Sequence, residues 1–422
     1  MQNRWSDADA RATVERYARQ GVNEDLALRV YTSRLLGREP ALVLHGGGNT
    51  SVKTTVRDIT GEDVEVLCVK GSGSDMADIE PAGLPAVRLA PLRALLELDR
   101  LSDEDMVNFQ RRNLLESSAP NPSVETLLHA FLPHKFIDHT HSNAVLALTD
   151  QPDGADLCRE VFGARAALVP YIMPGFALAK SCAAVHAQQP EADTLILRQH
   201  GIFTMGASAR EAYERMIERT SEAEARLARG RKTVAQVKLP QALAGPAAIA
   251  PILRGLLAIK GEGDDGLVKR FVLEFRGGPA ARAFVDGAEL ARYSQAGTIT
   301  PDHAIRTKPW PVILPAPSSG ELDDFAVAAA QAIEAFKTRY RAYVERHAGR
   351  DGAAKKPLDP APRVLLVPGM GLFAAGDSAR AARVAADIAE AAASVILDAE
   401  AIGRFESIAE ADLFDIEYWS LE

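Results

Sequence analysis

The sequence predicts a two-domain α/β protein. Its 422 residues exceed the length at which a single hydrophobic core stops growing, so more than one domain is expected. Short apolar runs that end in glycine-rich turns alternate with longer amphipathic segments, a pattern typical of mixed strands and helices. A stretch rich in Pro, Ala and Gly at 236–250 marks a boundary, and we therefore expect domains at 1–240 and 241–422.

The composition is that of an ordinary globular protein, with 47% hydrophobic and 25% charged residues. The net charge of −9 argues against nucleic acid or an anionic membrane as partner, because phosphate groups attract clustered Lys and Arg. The three cysteines are scattered and odd in number, which indicates a reducing compartment. The sequence has no signal-peptide pattern and no run of ~20 apolar residues, so a cytoplasmic location is expected. No internal repeat is evident.

The N-terminal part contains two helices and two glycine-rich turns. Ser6 and Asn23 are capping residues, which predicts helices that begin after each of them. Glycines at 46–48 and at 71 and 73 each follow a strand-like run and lie beside short polar side chains. Such turns bring backbone amides close to a phosphate or a hydroxylated substrate, and a glycine-rich hairpin explains the first of them equally well. Neither turn fits GxxxxGK[ST], so a nucleotide P-loop is not predicted.

The segment 121–150 holds four of the nine histidines. Its apolar residues predict a β-strand through Phe136–Leu148. Side chains two apart on a strand share a face, so His139 and His141 would present two imidazoles side by side. Two imidazoles at this spacing suit a divalent ion such as zinc, although a single HxH pattern also arises by chance.

A catalytic zinc needs a third protein ligand and an open position. His200 is the candidate, because it occupies a polar His-Gly turn at the end of a hydrophobic strand. Glu125 follows Ser123 on a predicted helix, and a carboxylate near an open metal site can ligate the ion or act as a general base. His129 comes one helical turn after Glu125; it could orient that carboxylate, and we expect a packing role instead.

The ordered motifs GGGNTS, VKGSGSD, PSVE, HTH and RQHG resemble the class II aldolase/adducin family over residues 25–235. They are most similar to the aldolase part of bifunctional rhamnulose-1-phosphate aldolase/short-chain dehydrogenase proteins. The resemblance implies a three-layer αβα sandwich with a mainly antiparallel sheet, followed by a smaller C-terminal α/β module. It implies Zn²⁺, or another divalent metal, held by His139, His141 and His200, with Glu125 as the catalytic acid/base.

The resemblance also implies contacts to the substrate and its phosphate, made by Asn49, Ser51, Ser72, Gly73 and Ser123. Phosphate-binding members commonly carry a second serine where this chain has Val124. The implied enzyme is a class II zinc-dependent aldolase, a carbon–carbon lyase of carbohydrate metabolism that works as a homo-oligomer such as a tetramer. It would cleave a ketose 1-phosphate to dihydroxyacetone phosphate and an aldehyde.

Two alternatives stay open at this stage. A sugar-phosphate epimerase or dehydratase would use the same site, because these reactions also begin with metal-assisted chemistry next to a carbonyl. A non-catalytic, adducin-like interaction protein is the alternative from another class. It would be expected to have lost the histidines and Glu125, which are all present here.

The sequence of the C-terminal half gives weaker indications of function than the N-terminal half. We expect the loop 298–308, with His303, Arg306 and Lys308, to be an ordinary solvated surface; a contact to substrate phosphate is the alternative. The segment 363–398 predicts a βαβ unit with a GxGxxA turn, and Pro368 in that turn favours a structural module over a dinucleotide site. The chain stops about where the dehydrogenase domain of the resembled proteins begins, so we expect either a stand-alone aldolase-like form or a fragment.

Overall fold

The computed structural model describes residues 1–229, 232, 234–260, 268–350 and 355–421. The chain divides into two compact units. The N-terminal unit comprises 1–149, 153–229 and 421, and the C-terminal unit comprises 150–152 and 230–420. Within the described residues, no helix combines the length and the apolar composition that crossing a bilayer requires.

The N-terminal unit combines a large sheet with several helices. Its helices are α1 (Asp7–Ala18), α2 (Glu24–Gly37), α3 (Leu89–Ala94), α4 (Asp103–Arg112), α5 (Thr126–Phe131), α6 (Asn143–Thr149), α7 (Gly154–Phe162), α8 (Phe176–Gln188) and α9 (Ala209–Leu227). Its strands are β1 (Asn49–Arg57), β2 (Asp63–Val69), β3 (Ala86–Arg88), β4 (Phe136–Thr140), β5 (Ala166–Val169), β6 (Thr194–Leu197) and β7 (Gly201–Gly206).

The sheet of the N-terminal unit has the strand order β3-β2-β1-β4-β7-β6-β5. Only β5 and β6 pair in parallel within it; its other neighbouring pairs are antiparallel. On β2, Val66 and Cys68 pack with α1, α2 and α9, whereas Leu67 and Val69 pack with α3, α5 and α8. Successive strand side chains point to opposite faces, so a strand buried on both faces needs a helical layer on each. The predicted αβα sandwich with a mainly antiparallel sheet is confirmed.

The first two helices begin where their capping residues predict. The Ser6 side chain accepts a hydrogen bond from the backbone N–H of Asp9, and the Asn23 side chain accepts one from Leu26. These bonds satisfy amides that have no partner inside the helix.

The predicted strand through Phe136–Leu148 is wrong in its second half. β4 ends at Thr140, and α6 begins at Asn143. Every residue from Ala144 to Thr149 is buried. A fully buried run shows no periodicity that separates a helix from a strand. The chain therefore leaves the sheet within the HTH motif.

The C-terminal unit is built around a smaller sheet. Its helices are α10 (Pro246–Leu256), α11 (Pro279–Val285), α12 (Leu290–Tyr293), α13 (His303–Thr307), α14 (Leu322–His347), α15 (Ala379–Ile402) and α16 (Glu410–Glu417). Its strands are β8 (Ile259–Lys260), β9 (Val268–Lys269), β10 (Val272–Arg276), β11 (Val312–Ile313), β12 (Val364–Val367) and β13 (Gly371–Gly376). The sheet order is β10-β13-β12-β11; β11 and β12 are parallel, the other pairs in it are antiparallel, and β8 pairs with β9.

The segment 363–398 does not form the predicted βαβ unit. β12 and β13 make an antiparallel hairpin, and Ser394–Leu397 lie inside α15 instead of on a second parallel strand. Gly369 has a φ of 81° in the hairpin turn, and a Cβ on Gly371 would lie 2.2 Å from the carbonyl oxygen of Arg276. The glycines thus serve a turn and close strand packing, which removes the geometric basis for a dinucleotide site.

The loop at 298–308 is largely buried, contrary to the expected solvated surface. His303 is 8% exposed and Lys308 is 4% exposed. The Lys308 ammonium lies 3.7 Å from Glu417 Oε1 and 3.6 Å from the centre of the Tyr340 ring. Burial lowers the pKa of Lys308 to about 8. The charge of Lys308 is thus compensated inside the C-terminal unit.

The two units share a repeated motif, although no repeat is evident in the sequence. The strands β4, β7, β6 and β5 lie side by side, and β10, β13, β12 and β11 repeat this order with the same relative directions. In both motifs the hairpin leads into a long helix with a serine cap, Ser208 before α9 and Ser378 before α15. Equivalent positions keep one constant offset, as in Gly201 and Gly371, Phe203 and Phe373, and Gly206 and Gly376.

Candidate metal centre and active site

Three histidines lie together where strands in the interior of the N-terminal sheet end. His139 is near the end of β4, His141 follows that strand, and His200 is in the turn between β6 and β7. Their candidate ligand nitrogens all lie within 4.8 Å of one another, and the Nε2 atoms of His139 and His141 are 3.1 Å apart. Converging imidazole nitrogens are a donor set that zinc prefers.

The ring of His139 is held from two sides. Its Nδ1 lies 3.1 Å from the carbonyl oxygen of Ile202, and the ring stacks on Phe203 with centroids 4.1 Å apart. Donation from Nδ1–H to that carbonyl leaves the lone pair of Nε2 directed at the other histidines. A backbone partner of this kind fixes the tautomer and the orientation of a metal-binding histidine.

The described residues of the repeated motif in the C-terminal unit lack equivalents of His139 and His200. Phe275 occupies the position of His139 in the strand pairing, and Met370 occupies the position of His200 in the hairpin turn. The Phe275 ring instead packs against Phe373, with centroids 4.9 Å apart. Within the described residues, the histidine cluster is therefore a feature of the N-terminal copy of the motif.

Gly201 allows β7 to pass directly beside two of the histidines. A Cβ at this position would lie 2.5 Å from the carbonyl oxygen of Thr140, 3.0 Å from His139 Cε1 and 3.1 Å from His141 Cδ2. Glycine is needed here because any side chain would push the imidazoles out of place.

We expect Gly201→Ala to weaken zinc binding by about 10- to 100-fold, the effect typical of losing groups that orient metal ligands. Gly255→Ala is the matched control, because a Cβ there meets nothing within 4 Å. Competition of each metal-free protein with a chromophoric chelator would measure the affinity. Equal zinc affinities in the two variants would contradict this arrangement of the ligands.

Glu125 directs its carboxylate into the histidine cluster. Its Oε2 lies 3.4 Å from His139 Nε2, and its Oε1 lies 3.5 Å from His200 Nε2. The residue is 7% exposed, and Oε1 accepts no hydrogen bond from the residues that the structure describes. A buried carboxylate oxygen without a donor is unfavourable unless a cation or a proton compensates it. The residues present therefore fit a divalent cation beside Glu125.

Asn49, at the start of β1, contacts both the carboxylate of Glu125 and the hydroxyl of Ser123. Asn49 Nδ2 donates to Glu125 Oε2 at 2.6 Å and to Ser123 Oγ at 3.2 Å. Strand pairing sets Asn49 opposite His139, which explains how the two segments reach one site. All of these side chains are buried.

The remaining predicted substrate contacts have different surroundings. Ser51 is fully buried, and its hydroxyl lies 2.7 Å from His129 Nδ1. Ser72 and Gly73 lie in an exposed turn after β2. The N–H of Ser72 donates to the carbonyl of Asn121 at 2.8 Å, which holds this turn next to the segment that leads into α5.

Two further buried residues of this region were not among the predicted site residues. Lys70 is 3% exposed, and its Nζ donates to the carbonyl of Gly46 at 2.9 Å, which joins the two glycine-rich turns. His129 is fully buried between Ser51 and Asn49, and burial lowers its pKa well below the ordinary value. In the sequence, Lys70 is marked only by its place at the end of a strand. His129 is marked only by its place one helical turn after the carboxylate of Glu125.

Two protein families match the chain. Residues 27–227 match the family described as Class II Aldolase and Adducin N-terminal domain. Residues 244–422 match the family described as Aldolase class II, second domain.

One curated relative and several solved structures are similar to the chain. The uncharacterized oxidoreductase YuxG of Bacillus subtilis is 33% identical over 405 residues, which is 93% of this chain. The chain spans 57% of that protein's length. The N-terminal class II aldolase domain of a protein from Thermoplasma acidophilum is 40% identical, with a TM-score of 0.48, over 54% of this chain and 99% of that one. An aldolase II superfamily protein from Pseudomonas syringae is 17% identical, with a TM-score of 0.37, over 50% of this chain and 79% of that one.

Proposed function

Residues 27–227 belong to the class II aldolase and adducin family, and on this premise we propose that the chain is a divalent-metal-dependent aldolase. The proposed reaction is reversible cleavage of a ketose 1-phosphate, similar to rhamnulose 1-phosphate, into dihydroxyacetone phosphate and an aldehyde. The observation that carries the proposal is the cluster of His139, His141 and His200, with the carboxylate of Glu125 beside two of its members.

The three histidines would hold the ion, with zinc the first candidate because all three donors are imidazoles. A divalent cation bound there supplies a Lewis acid for the carbonyl and the adjacent hydroxyl of a ketose phosphate. His139 is already oriented for this role by Ile202 and Phe203, so little rearrangement is needed on binding.

Glu125 is the proposed acid/base. Cleavage of the carbon–carbon bond removes a proton from a hydroxyl and delivers one to the carbon left behind. Glu125 Oε2 is engaged by Asn49, whereas Oε1 accepts no hydrogen bond from the described residues. Oε1 is therefore the atom that we propose to take up and return the proton.

The anionic end of the substrate is proposed to bind beside the glycine-rich turns. Ser72 and Gly73 present an exposed turn. Ser123 donates its N–H to the carbonyl of Lys70 just before that turn, and Asn49 contacts both Ser123 and the carboxylate. Lys70 supplies a positive charge at the same turn. Contacts of this kind hold a phosphate by charge-assisted hydrogen bonds far from the reacting carbons.

The first test is the metal content of the purified protein, measured by elemental analysis. We expect a near-stoichiometric divalent ion in the wild type and a loss of most of it in His141→Ala, because an open catalytic site has few ligands to spare. His134→Ala is the matched control, since His134 packs against His186 outside the cluster. A metal-free wild type that takes up no added zinc would contradict the proposal and favour an interaction protein.

The second test is turnover of ketose 1-phosphates, followed by coupled detection of dihydroxyacetone phosphate. Metal-dependent release of this product supports the aldolase. Conversion of the sugar phosphate to an isomer without cleavage would assign the site to an epimerase instead.

A further inference from the structure

The side chain of His129 links the side chains of Ser51 and Asn49 through hydrogen bonds. Its Nδ1 lies 2.7 Å from Ser51 Oγ, and its Nε2 lies 2.5 Å from Asn49 Oδ1. The ring is fully buried between α5 and the face of β1 that carries both residues. Its contacts are therefore set by the protein interior and not by solvent.

The chemistry of the three groups fixes the direction of each hydrogen bond. An amide oxygen only accepts, so His129 Nε2 must carry the proton that it donates to Asn49 Oδ1. In a neutral ring the Nδ1 then accepts from the hydroxyl of Ser51. With its oxygen occupied, Asn49 has its NH₂ group directed at Glu125 Oε2, at 2.6 Å. A flipped amide would bring an oxygen against the carboxylate instead.

We propose that His129 is a positioning residue: it fixes the orientation of the Asn49 amide and, through it, which oxygen of Glu125 stays open to receive a proton. This inference rests on the proposed function, in which Oε1 moves that proton. His129 therefore does more than the packing that the sequence led us to expect. Its ring provides one hydrogen-bond donor and one acceptor on opposite sides, which an apolar side chain of similar shape does not.

A structural contribution of the same residue is separable from this role. The backbone carbonyl of His129 accepts a hydrogen bond from Lys53 Nζ at 2.7 Å, and the ring contacts Phe203 edge-on at 5.5 Å. The backbone bond survives any substitution of the side chain. A leucine keeps an apolar contact with Phe203 but has no hydrogen-bonding group.

The kinetic test compares His129→Leu with His129→Gln. Glutamine carries an acceptor and a donor that can serve Ser51 and Asn49, whereas leucine carries neither. We expect His129→Leu to lower kcat about 10²-fold, the loss typical of a catalytic group displaced by about 1 Å. We expect His129→Gln to recover kcat to within about tenfold of the wild type, with metal content and thermal midpoint equal in the two variants. Equal kcat in the two variants would overturn the proposal.

A second measurement needs no substrate. In protein labelled with ¹⁵N-asparagine, the side-chain NH₂ signal of Asn49 is identified by its loss in Asn49→Asp. We expect this signal to shift and its protons to exchange faster in His129→Leu, and to return towards wild type in His129→Gln. An Asn49 signal that is unchanged in His129→Leu would overturn the proposal. If no ketose phosphate is cleaved and yet the signal responds as expected, the positioning role stands and only the proposed reaction fails.

Discussion

Glu125→Gln is expected to lower kcat for ketose 1-phosphate cleavage by about 10²- to 10⁴-fold, the range that general acid–base groups contribute. Glutamine keeps the shape of the side chain but cannot take up and return a proton. The metal content is expected to persist, because His139, His141 and His200 supply the proposed ligands. The measurement is steady-state turnover together with elemental analysis of the same sample.

The matched control for this variant is Glu160→Gln. Glu160 is an exposed carboxylate that pairs with Arg226 on the protein surface, so its replacement leaves turnover unchanged. Two results would contradict the assignment of Glu125. Turnover within tenfold of the wild type would exclude it as the acid/base, and loss of the metal in Glu125→Gln would make the carboxylate a ligand.

The three histidines that the structure brings together could be picked out from local signals. The HTH spacing predicts two neighbouring imidazoles, although β4 ends at Thr140 and His141 follows the strand. His200 directly precedes the glycine at which β7 begins. The partners of Glu125 were less predictable, because they depend on which strands pair. Asn49 reaches the carboxylate because it is the first residue of β1. Ser51, two residues along the same face of β1, is already inside the core, and nothing in the isolated sequence marks that difference.

The fold was predictable where polar and apolar residues alternate, and it was not predictable where a helix contains a continuous apolar run. In α6 and in the last turns of α15, Ala, Val, Ile and Leu give short apolar runs that resemble strands. Whether such a run forms a helix or a strand depends on the layers that pack around it, and the run itself does not contain that information. The repeated motif also could not be recognised from the sequence, because few of its residues are the same in the two copies. It is marked by a few glycines and a serine cap, while side chains such as His139 and Phe275 differ completely.

Among the substitutions considered, Arg29→Met is expected to cause the largest loss in the free energy of unfolding. Arg29 Nη2 and Asp138 Oδ1 are 2.5 Å apart, and both side chains are 0% exposed. Asp138 precedes His139 on β4 and points to the opposite face of the sheet, so the ion pair anchors the strand that carries a proposed metal ligand. Arg29→Met leaves an uncompensated carboxylate in the interior, and we expect the free energy of unfolding to fall by about 3–5 kcal/mol. Urea denaturation of the N-terminal unit, followed by near-UV circular dichroism, measures this change.

The surface pair Arg57–Asp63 provides the control, because its side chains are 79% and 69% exposed. Arg57→Met should lower the free energy of unfolding by less than about 1 kcal/mol, since water already solvates both charges. The double variant Arg29→Met/Asp138→Leu separates charge from packing: without the buried carboxylate it should recover most of the stability lost in Arg29→Met. If the double variant is as unstable as the single one, the loss comes from packing around Arg29, and the ion pair is not what holds β4 in place.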